Sequence, residues 1–86
     1  MWFVYFLKVA NKDWYYVGST NDVLRRVGEH DKGLVTSTKH HRPLTLVHTI
    51  CFDLEQEARQ YEREVKHQRK EKEKIIRWLK EHCRLV

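Results

Sequence analysis

The sequence predicts one small α/β domain of the α+β type over residues 1–86. In it, a three-stranded antiparallel sheet is flanked by about three helices, in the order β-β-α-β-α-α. Three observations favour this fold. A chain of 86 residues suits one domain and is too short for two. With 41% hydrophobic and 34% charged residues, it has a globular rather than a disordered composition. Aromatic and β-branched residues dominate up to about residue 53, and charged residues dominate after it.

Two strands are predicted at the start of the chain. Residues 2–9 are bulky and aromatic, and residues 14–19 have a similar character. Turn-forming residues separate them, which favours an antiparallel hairpin with a short loop. Tyr5 and Tyr16 come from these neighbouring strands, so we expect them to lie close together.

A first helix is predicted at about residues 21–32. Three side chains are suitable N-caps: Thr20, Asn21 and Asp22. Gly33 is suited to the C-terminal cap. Arg26 and His30 are four residues apart and share one face of this helix, near the margin of the core.

A polar loop and a third strand follow the first helix. Residues 34–42 are polar and are expected to form the loop. Pro43 precedes a third strand over residues 44–52, and a proline is acceptable where a strand begins.

Two further helices are predicted in the charged half of the chain. Asp53 and Gln56 resemble a capping box, which starts a helix that ends at about Lys66. Glu62 is expected at the margin of the core on this helix. Apolar residues at helical spacing predict a third helix at about residues 70–83.

Charge and apolar runs limit the possible partners. The chain has 17 Lys and Arg against 12 Asp and Glu, a net charge of +5, which favours a polyanionic partner. The longest apolar run, Met1 to Leu7, is too short to span a membrane. No signal-peptide pattern is present, so a cytoplasmic location without membrane attachment is expected.

Five motifs in order resemble the GIY-YIG nuclease superfamily. Val4-Tyr5-Phe6 and Tyr16-Val17-Gly18 are similar to its two signature tripeptides, although many members have Ile where Val4 stands. Arg26 and His30 follow Tyr16 by ten and fourteen residues. Segments within residues 21–30, 36–47 and 57–66 are similar to the remaining motifs. The resemblance covers residues 2–66 and is closest to the small stand-alone bacterial branch, the URI domain.

The resemblance implies a metal-dependent endonuclease that hydrolyses DNA with Mg²⁺ or Mn²⁺. The implied catalytic residues are Tyr5, Tyr16, Arg26, His30 and Glu62. Glu62 alone suffices as the protein's metal ligand, because Mg²⁺ keeps several waters and takes phosphate oxygens. Tyr16 is the preferred general base and Tyr5 would orient the water or the phosphate, with the reverse assignment left open. Arg26 would stabilise the transition state. His30 would share the base role, or hydrogen-bond the phosphate or Tyr5.

A wider set of residues is expected to contact the DNA backbone: Gly18, Arg25, Lys39, His40, Arg42, Lys66, Arg69 and Lys70. Three of these residues have a simpler structural alternative. Gly18 suits close packing, Arg25 can pair with Glu29, and Lys66 can pair with Glu62. The excess positive charge falls within residues 59–80, which suit either a solvated face or a track for the DNA backbone. The implied nucleic-acid site favours the track.

Two functions remain open at this point. The first is an endonuclease in DNA repair or processing that selects DNA structure rather than sequence, because neither a helix-turn-helix nor a zinc finger is visible. The alternative is a non-cleaving nucleic-acid-binding module of the same fold. RNA stays open as a substrate, a protein partner is a further possible source of specificity, and a monomer or weak dimer is expected.

Overall fold

The computed structural model describes residues 1–10 and 14–67, together with residues 73, 74, 76 and 77. Five elements follow one another along the chain: β1 (Trp2–Val9), β2 (Tyr15–Thr20), α1 (Val23–Asp31), β3 (Leu44–Phe52) and α2 (Glu55–His67). The α+β class and the three strands predicted from the sequence are confirmed. Bulky and β-branched residues account for the two longer strands, whose predicted bounds match those observed.

The three strands form one antiparallel sheet in the order β2-β1-β3. In the β1–β2 ladder, Tyr5 lies opposite Gly18, and Leu7 lies opposite Tyr16. The two tyrosines therefore stand on adjacent strands, two positions out of register. Since β2 is an edge strand, one side of Tyr16 and of Gly18 faces away from the rest of the sheet.

Each face of the sheet carries its own apolar cluster. On one face, Val4 and Phe6 of β1 pack with Ala58 and Val65 of α2. On the other face, Tyr5, Leu7 and Val9 of β1 pack with Val27 of α1. Alternation along β1 therefore directs Tyr5 towards α1, whereas the residues before and after it face α2.

Local capping fixes where both helices begin. Asp22 is the N-cap of α1, and its carboxylate accepts a hydrogen bond from the Arg25 amide at 3.1 Å. At the end of α1, Gly33 has φ +75°, a conformation that favours glycine. The predicted capping box at Asp53 and Gln56 is wrong by one residue, because the Leu54 amide donates to the Glu57 side chain at 3.3 Å.

Two helices, α1 and α2, have both ends within the described residues, whereas the sequence predicts about three helices. The predicted helix at about 70–83 falls largely outside the described residues, and so do Arg69 and Lys70. Within that range, Ile76 is helical and packs against the apolar cluster on the α2 face. Among the helices that the structure describes, none is both long and apolar enough to cross a membrane.

Candidate active site

Tyr5 lies inside the sheet, held against a glycine on the neighbouring strand. Its side chain is 1% exposed. A Cβ atom added at Gly18 would lie 2.5 Å from the Tyr5 hydroxyl oxygen and 2.6 Å from Cζ. Glycine at position 18 therefore leaves the space that the Tyr5 ring fills. This packing explains the glycine, and a contact between Gly18 and phosphate stays a prediction.

A buried chain of hydrogen bonds runs from Tyr5 through His30 to Thr38. The Tyr5 hydroxyl lies 2.9 Å from His30 Nε2, and His30 Nδ1 lies 2.6 Å from Thr38 Oγ1. His30 and Thr38 are both completely buried. Both ring nitrogens of His30 are thus occupied, which favours the hydrogen bond to Tyr5 among the three roles considered for this histidine.

Burial sets the protonation of both members of this pair. It lowers the pKa of His30, and the nearby Arg26 guanidinium adds to the effect, so the imidazole is neutral near pH 7. Burial also raises the pKa of Tyr5 far above its usual value, although Arg26 opposes the shift. Tyr5 therefore keeps its proton at neutral pH. Since Arg26 interacts with the phenol oxygen, the Tyr5 O–H is free to donate to His30 Nε2.

Tyr16 is the more accessible of the two tyrosines. It is half-buried, whereas Tyr5 is enclosed. Its ring centroid lies 6.2 Å from that of Tyr5 and 5.0 Å from that of His30, the second contact being edge-on. The expected proximity of the two tyrosines is confirmed. Of the two tyrosines, only Tyr16 is partly exposed to solvent.

Arg26 extends from α1 to the two tyrosines. Its guanidinium donates to Glu29 at 3.2 Å and interacts with Tyr5. About a third of its side chain, 34%, is exposed. Partial burial lowers the pKa of Arg26, but its contacts with Tyr5 and Glu29 outweigh that effect and raise it overall. The site therefore holds a permanent positive charge with an open side.

Glu62 is held at the opposite side of the β2 edge. Ser19 donates a short hydrogen bond to its Oε1 atom. Lys66 donates to its Oε2 atom at 2.6 Å, and the Lys66 ammonium lies 5.5 Å from the centroid of the Tyr16 ring. Only 19% of the Glu62 side chain is exposed. The carboxylate is therefore oriented from the strand and from its own helix.

These groups come from opposite faces of the sheet and meet because β2 is an edge strand. Arg26 approaches from α1, whereas Glu62 and Lys66 approach from α2. The Tyr5 hydroxyl is close enough to both Arg26 and Glu62 for each charge to affect its pKa. Two phenols, a guanidinium, a carboxylate and an ammonium thus surround one strand edge.

The donor set at this edge fits a hard divalent cation with few protein ligands. No group of three or more His, Cys, Asp and Glu side chains that could hold a metal occurs within the described ranges. Glu62 therefore stands as a single carboxylate. Mg²⁺ accepts one carboxylate when waters and phosphate oxygens complete its shell, whereas a structural zinc ion needs four protein ligands. The residues present fit Mg²⁺ or Mn²⁺.

The other residues predicted to contact DNA differ in whether their side chains already have partners within the protein. Arg25 is exposed and forms an ion pair with Glu29 at 3.3 Å, which is the structural role that the sequence offered as the alternative to a DNA contact. Lys39 and His40 are exposed in the segment between α1 and β3. Arg42 is exposed, but its guanidinium donates to the backbone oxygens of Lys39 and Asp31 at 3.1 and 3.3 Å. It therefore braces this segment, and its contact with DNA stays a prediction.

Sequence reasoning missed three side chains that shape the site. Ser19 follows the second signature tripeptide and orients Glu62, but nothing in the strand pattern indicates which helix it faces. Thr38 is buried beneath His30 although its segment is polar. Trp14 lies 6.5 Å from Tyr16, between ring centroids, and immediately precedes β2. In the sequence, the only indication that Trp14 lies near the site is that it directly precedes Tyr15 and Tyr16.

Comparison with known proteins supports the resemblance found in the sequence. A family model described as the GIY-YIG catalytic domain matches residues 1–76. A UPF0213 protein from Natronomonas pharaonis is 41% identical over 76 residues, which cover 86% of this chain and 88% of the relative. A UPF0213 protein from Halalkalibacterium halodurans is 38% identical over 76 residues, covering 86% of this chain and 80% of the relative. The solution NMR structure of this same UPF0213 protein, there described as from Bacillus halodurans, has a TM-score of 0.55 and 36% identity. That match covers 91% of this chain and 85% of the other.

Proposed function

The chain belongs to the GIY-YIG family, a nuclease superfamily, and on that premise we propose that it is a metal-dependent endonuclease that hydrolyses DNA phosphodiester bonds. One observation carries the proposal. Tyr16 stands on the edge strand β2 and packs against Tyr5, and the Arg26 guanidinium of α1 and the Glu62 carboxylate of α2 both lie close enough to Tyr5 to affect its pKa. A phosphodiester needs a base, a positive charge and a metal ligand, and this edge offers all three.

Tyr16 is the proposed general base. Tyr5 cannot readily serve, because burial raises its pKa and its hydroxyl is engaged by His30. Tyr16 presents part of its side chain to the outside. In the proposed step, Tyr16 first gives up its own proton to solvent, and its phenolate oxygen then takes a proton from a water molecule. The water oxygen forms a bond to phosphorus while the bond to the 3′ oxygen breaks, and the leaving 3′ oxygen takes up a proton from solvent.

Tyr5, His30 and Arg26 support that step in different ways. The Tyr16 ring packs against the buried rings of Tyr5 and His30, which hold it in place. Arg26 would donate to the non-bridging phosphate oxygens through the open side of its guanidinium. Its charge then stabilises the negative charge that develops on phosphate in the transition state.

Glu62 would hold the divalent cation, together with water and phosphate oxygens. When bound, the ion stabilises negative charge on the phosphate and on the leaving oxygen. Ser19 keeps Glu62 Oε1 in place, whereas Lys66 must leave Oε2 if a cation is to use that oxygen. Released from the carboxylate, the Lys66 ammonium would be free to bind the DNA backbone.

The proposed substrate is DNA recognised by structure rather than sequence, in repair or processing. The exposed cationic groups nearest the site belong to long, flexible side chains, which suit contacts with phosphates rather than with base edges. A non-cleaving binding module is the second candidate. The pairing of both Glu62 oxygens with Ser19 and Lys66 favours it, because a carboxylate satisfied by the protein needs no metal.

A cleavage assay separates the two functions. Labelled single-stranded, nicked, flapped and duplex DNA would be incubated with Mg²⁺, Mn²⁺ or EDTA. Glu62→Gln should abolish cutting, whereas Glu64→Gln, an equal change two positions away on α2, should cut like the wild type. Glu64 is an exposed residue that accepts a hydrogen bond from Gln60 at 3.3 Å. Binding without metal-dependent cutting by the wild type would support the binding module.

A further inference from the structure

We propose that Trp14 and His41 form a stacking surface for an unpaired nucleobase, directly beside the candidate active site. The nucleotide would thread past Tyr16 with its base on the indole ring. This inference rests on the proposed function only for the class of ligand, a nucleic acid. It adds a base-binding position to a site that otherwise contains only phosphate-binding and catalytic groups.

The first observation is the exposure of a large aromatic ring next to the site. Trp14 is 37% exposed, although Val9 and Tyr15, which flank the same hairpin, are buried. The Trp14 amide oxygen is fixed, because it accepts a hydrogen bond from the Val9 amide at 3.1 Å. Trp14 is therefore held at the hairpin end with much of its ring in contact with solvent. Covering that surface with a ligand would be favourable, because it removes aromatic area from water.

The second observation is that a second ring packs against the indole of Trp14. The centroids of Trp14 and His41 are 4.7 Å apart, with an angle of 36° between their planes. His41 Nδ1 is buried and has no hydrogen-bond partner in the part of the chain that the structure describes. An unpartnered buried nitrogen destabilises a fold, so this packing is not optimised for stability alone. Positions that break such a rule are often functional.

The third observation is the arrangement of charge around the rings. Lys39 and His40 are exposed in the same segment as His41, and Lys66 lies beside Tyr16. The Trp14 and Tyr16 ring centroids are 6.5 Å apart, so the indole ring lies next to the proposed general base. Cations and an aromatic face together are typical of single-strand binding sites, in which backbone charge is neutralised while bases stack.

Stacking on an indole ring requires a base whose face is free. In duplex DNA both faces of each internal base are covered by its neighbours. The proposed surface therefore favours single strands, flaps and ends over intact duplex. It also gives a physical reason for structure selectivity without a separate sequence-reading element, because every base has an aromatic face.

The test measures binding without cleavage. Fluorescein-labelled oligothymidylate of about ten nucleotides, a length within the usual range of single-strand sites, would be titrated in EDTA and followed by fluorescence anisotropy. A second probe of equal length carries abasic sugars in place of the bases. The wild type should bind the first probe more tightly. Trp14→Ala should reduce that preference by roughly 5- to 150-fold, the usual range for one stacked base.

Three further variants give this result its meaning. Trp14→Phe keeps an aromatic face and should retain part of the preference, whereas Trp14→Leu keeps apolar bulk and should lose it. Leu54→Ala removes an apolar side chain that is 58% exposed at the start of α2, and it should bind like the wild type. The dependence of binding on salt should be unchanged in all Trp14 variants, because phosphate contacts remain.

Several results would overturn the inference. These are equal binding of both probes by the wild type, no binding of oligothymidylate by the wild type, or a preference that survives in Trp14→Leu. An equal loss for both probes in Trp14→Ala would also overturn it, since that indicates a purely structural role. A wild type that prefers the base-containing probe but never cleaves DNA would refute the nuclease proposal and leave this inference standing.

Discussion

Replacing Gly18 by alanine tests the packing on which the site is built. The new methyl group would lie 2.5 Å from the Tyr5 hydroxyl oxygen and 2.6 Å from Cζ, well inside van der Waals contact. The ring cannot simply move away, because Tyr5 is 1% exposed and bound to His30. Overpacking of this kind costs about 1–3 kcal/mol of stability. In a domain of this size each kcal/mol lowers the melting temperature by about 4–8 °C.

The matched control is Gly28→Ala. A Cβ atom at Gly28, within α1, would have nothing within 4 Å. Since alanine favours helix over glycine by about 0.8–1 kcal/mol, this variant should melt at or above the wild-type temperature. Thermal unfolding followed by circular dichroism compares the two. If Gly18→Ala melted at the wild-type temperature, the account of Tyr5 as a rigid, enclosed side chain would be refuted.

Three further predictions concern the buried histidine and the paired carboxylate. Burial lowers the pKa of His30, so the unfolded chain, with a histidine pKa of about 6.5, takes up a proton at higher pH than the folded protein. Stability should therefore fall as pH drops below about 6.5, and urea unfolding should show a weaker decline for His30→Asn; equal declines would contradict this. Thr38→Val should cost about 1–3 kcal/mol in the same assay because it leaves a buried His30 nitrogen unpaired, and a loss near zero would argue against the hydrogen bond. Lys66→Met should bind Mn²⁺ roughly fivefold more tightly, because the substitution removes the positive charge that competes for Glu62. Calorimetry without DNA measures this affinity, and unchanged or weaker binding would show that Lys66 does not oppose the metal.

The strands and the tyrosine pair were predictable because their signals are local. An alternation of bulky residues fixes which side chains share a face, and a short hairpin fixes which strands pair. Tyr5 and Tyr16 follow from these two rules alone. Arg26 and His30 share a helix face for a similar reason, so their approach to the same side of the sheet could be expected.

The contacts made across the β2 edge could not be predicted, because they depend on tertiary placement. Glu62 of α2 reaches Ser19 on the face of β2 that packs against this helix, and helical spacing indicates only that Glu62 lies at a core margin. Thr38 is buried although its neighbours are polar, and its partner His30 is eight residues away. The predicted start of α2 differs from the observed one by one residue. Leu54 has no side chain that can cap a helix, and its amide is instead bound by the side chain of Glu57, three residues later.

The most direct test of the proposed chemistry compares Tyr16→Phe with Tyr5→Phe in single-turnover cleavage of single-stranded DNA with Mg²⁺. If Tyr16 is the general base, its loss should slow cleavage by about 10²–10⁴-fold without weakening DNA binding. Tyr5→Phe should slow cleavage less and mainly reduce stability, because it removes the hydrogen bond to His30. Cleavage by Tyr16→Phe at the wild-type rate, with Tyr5→Phe inactive but folded, would reverse the assignment and contradict the account.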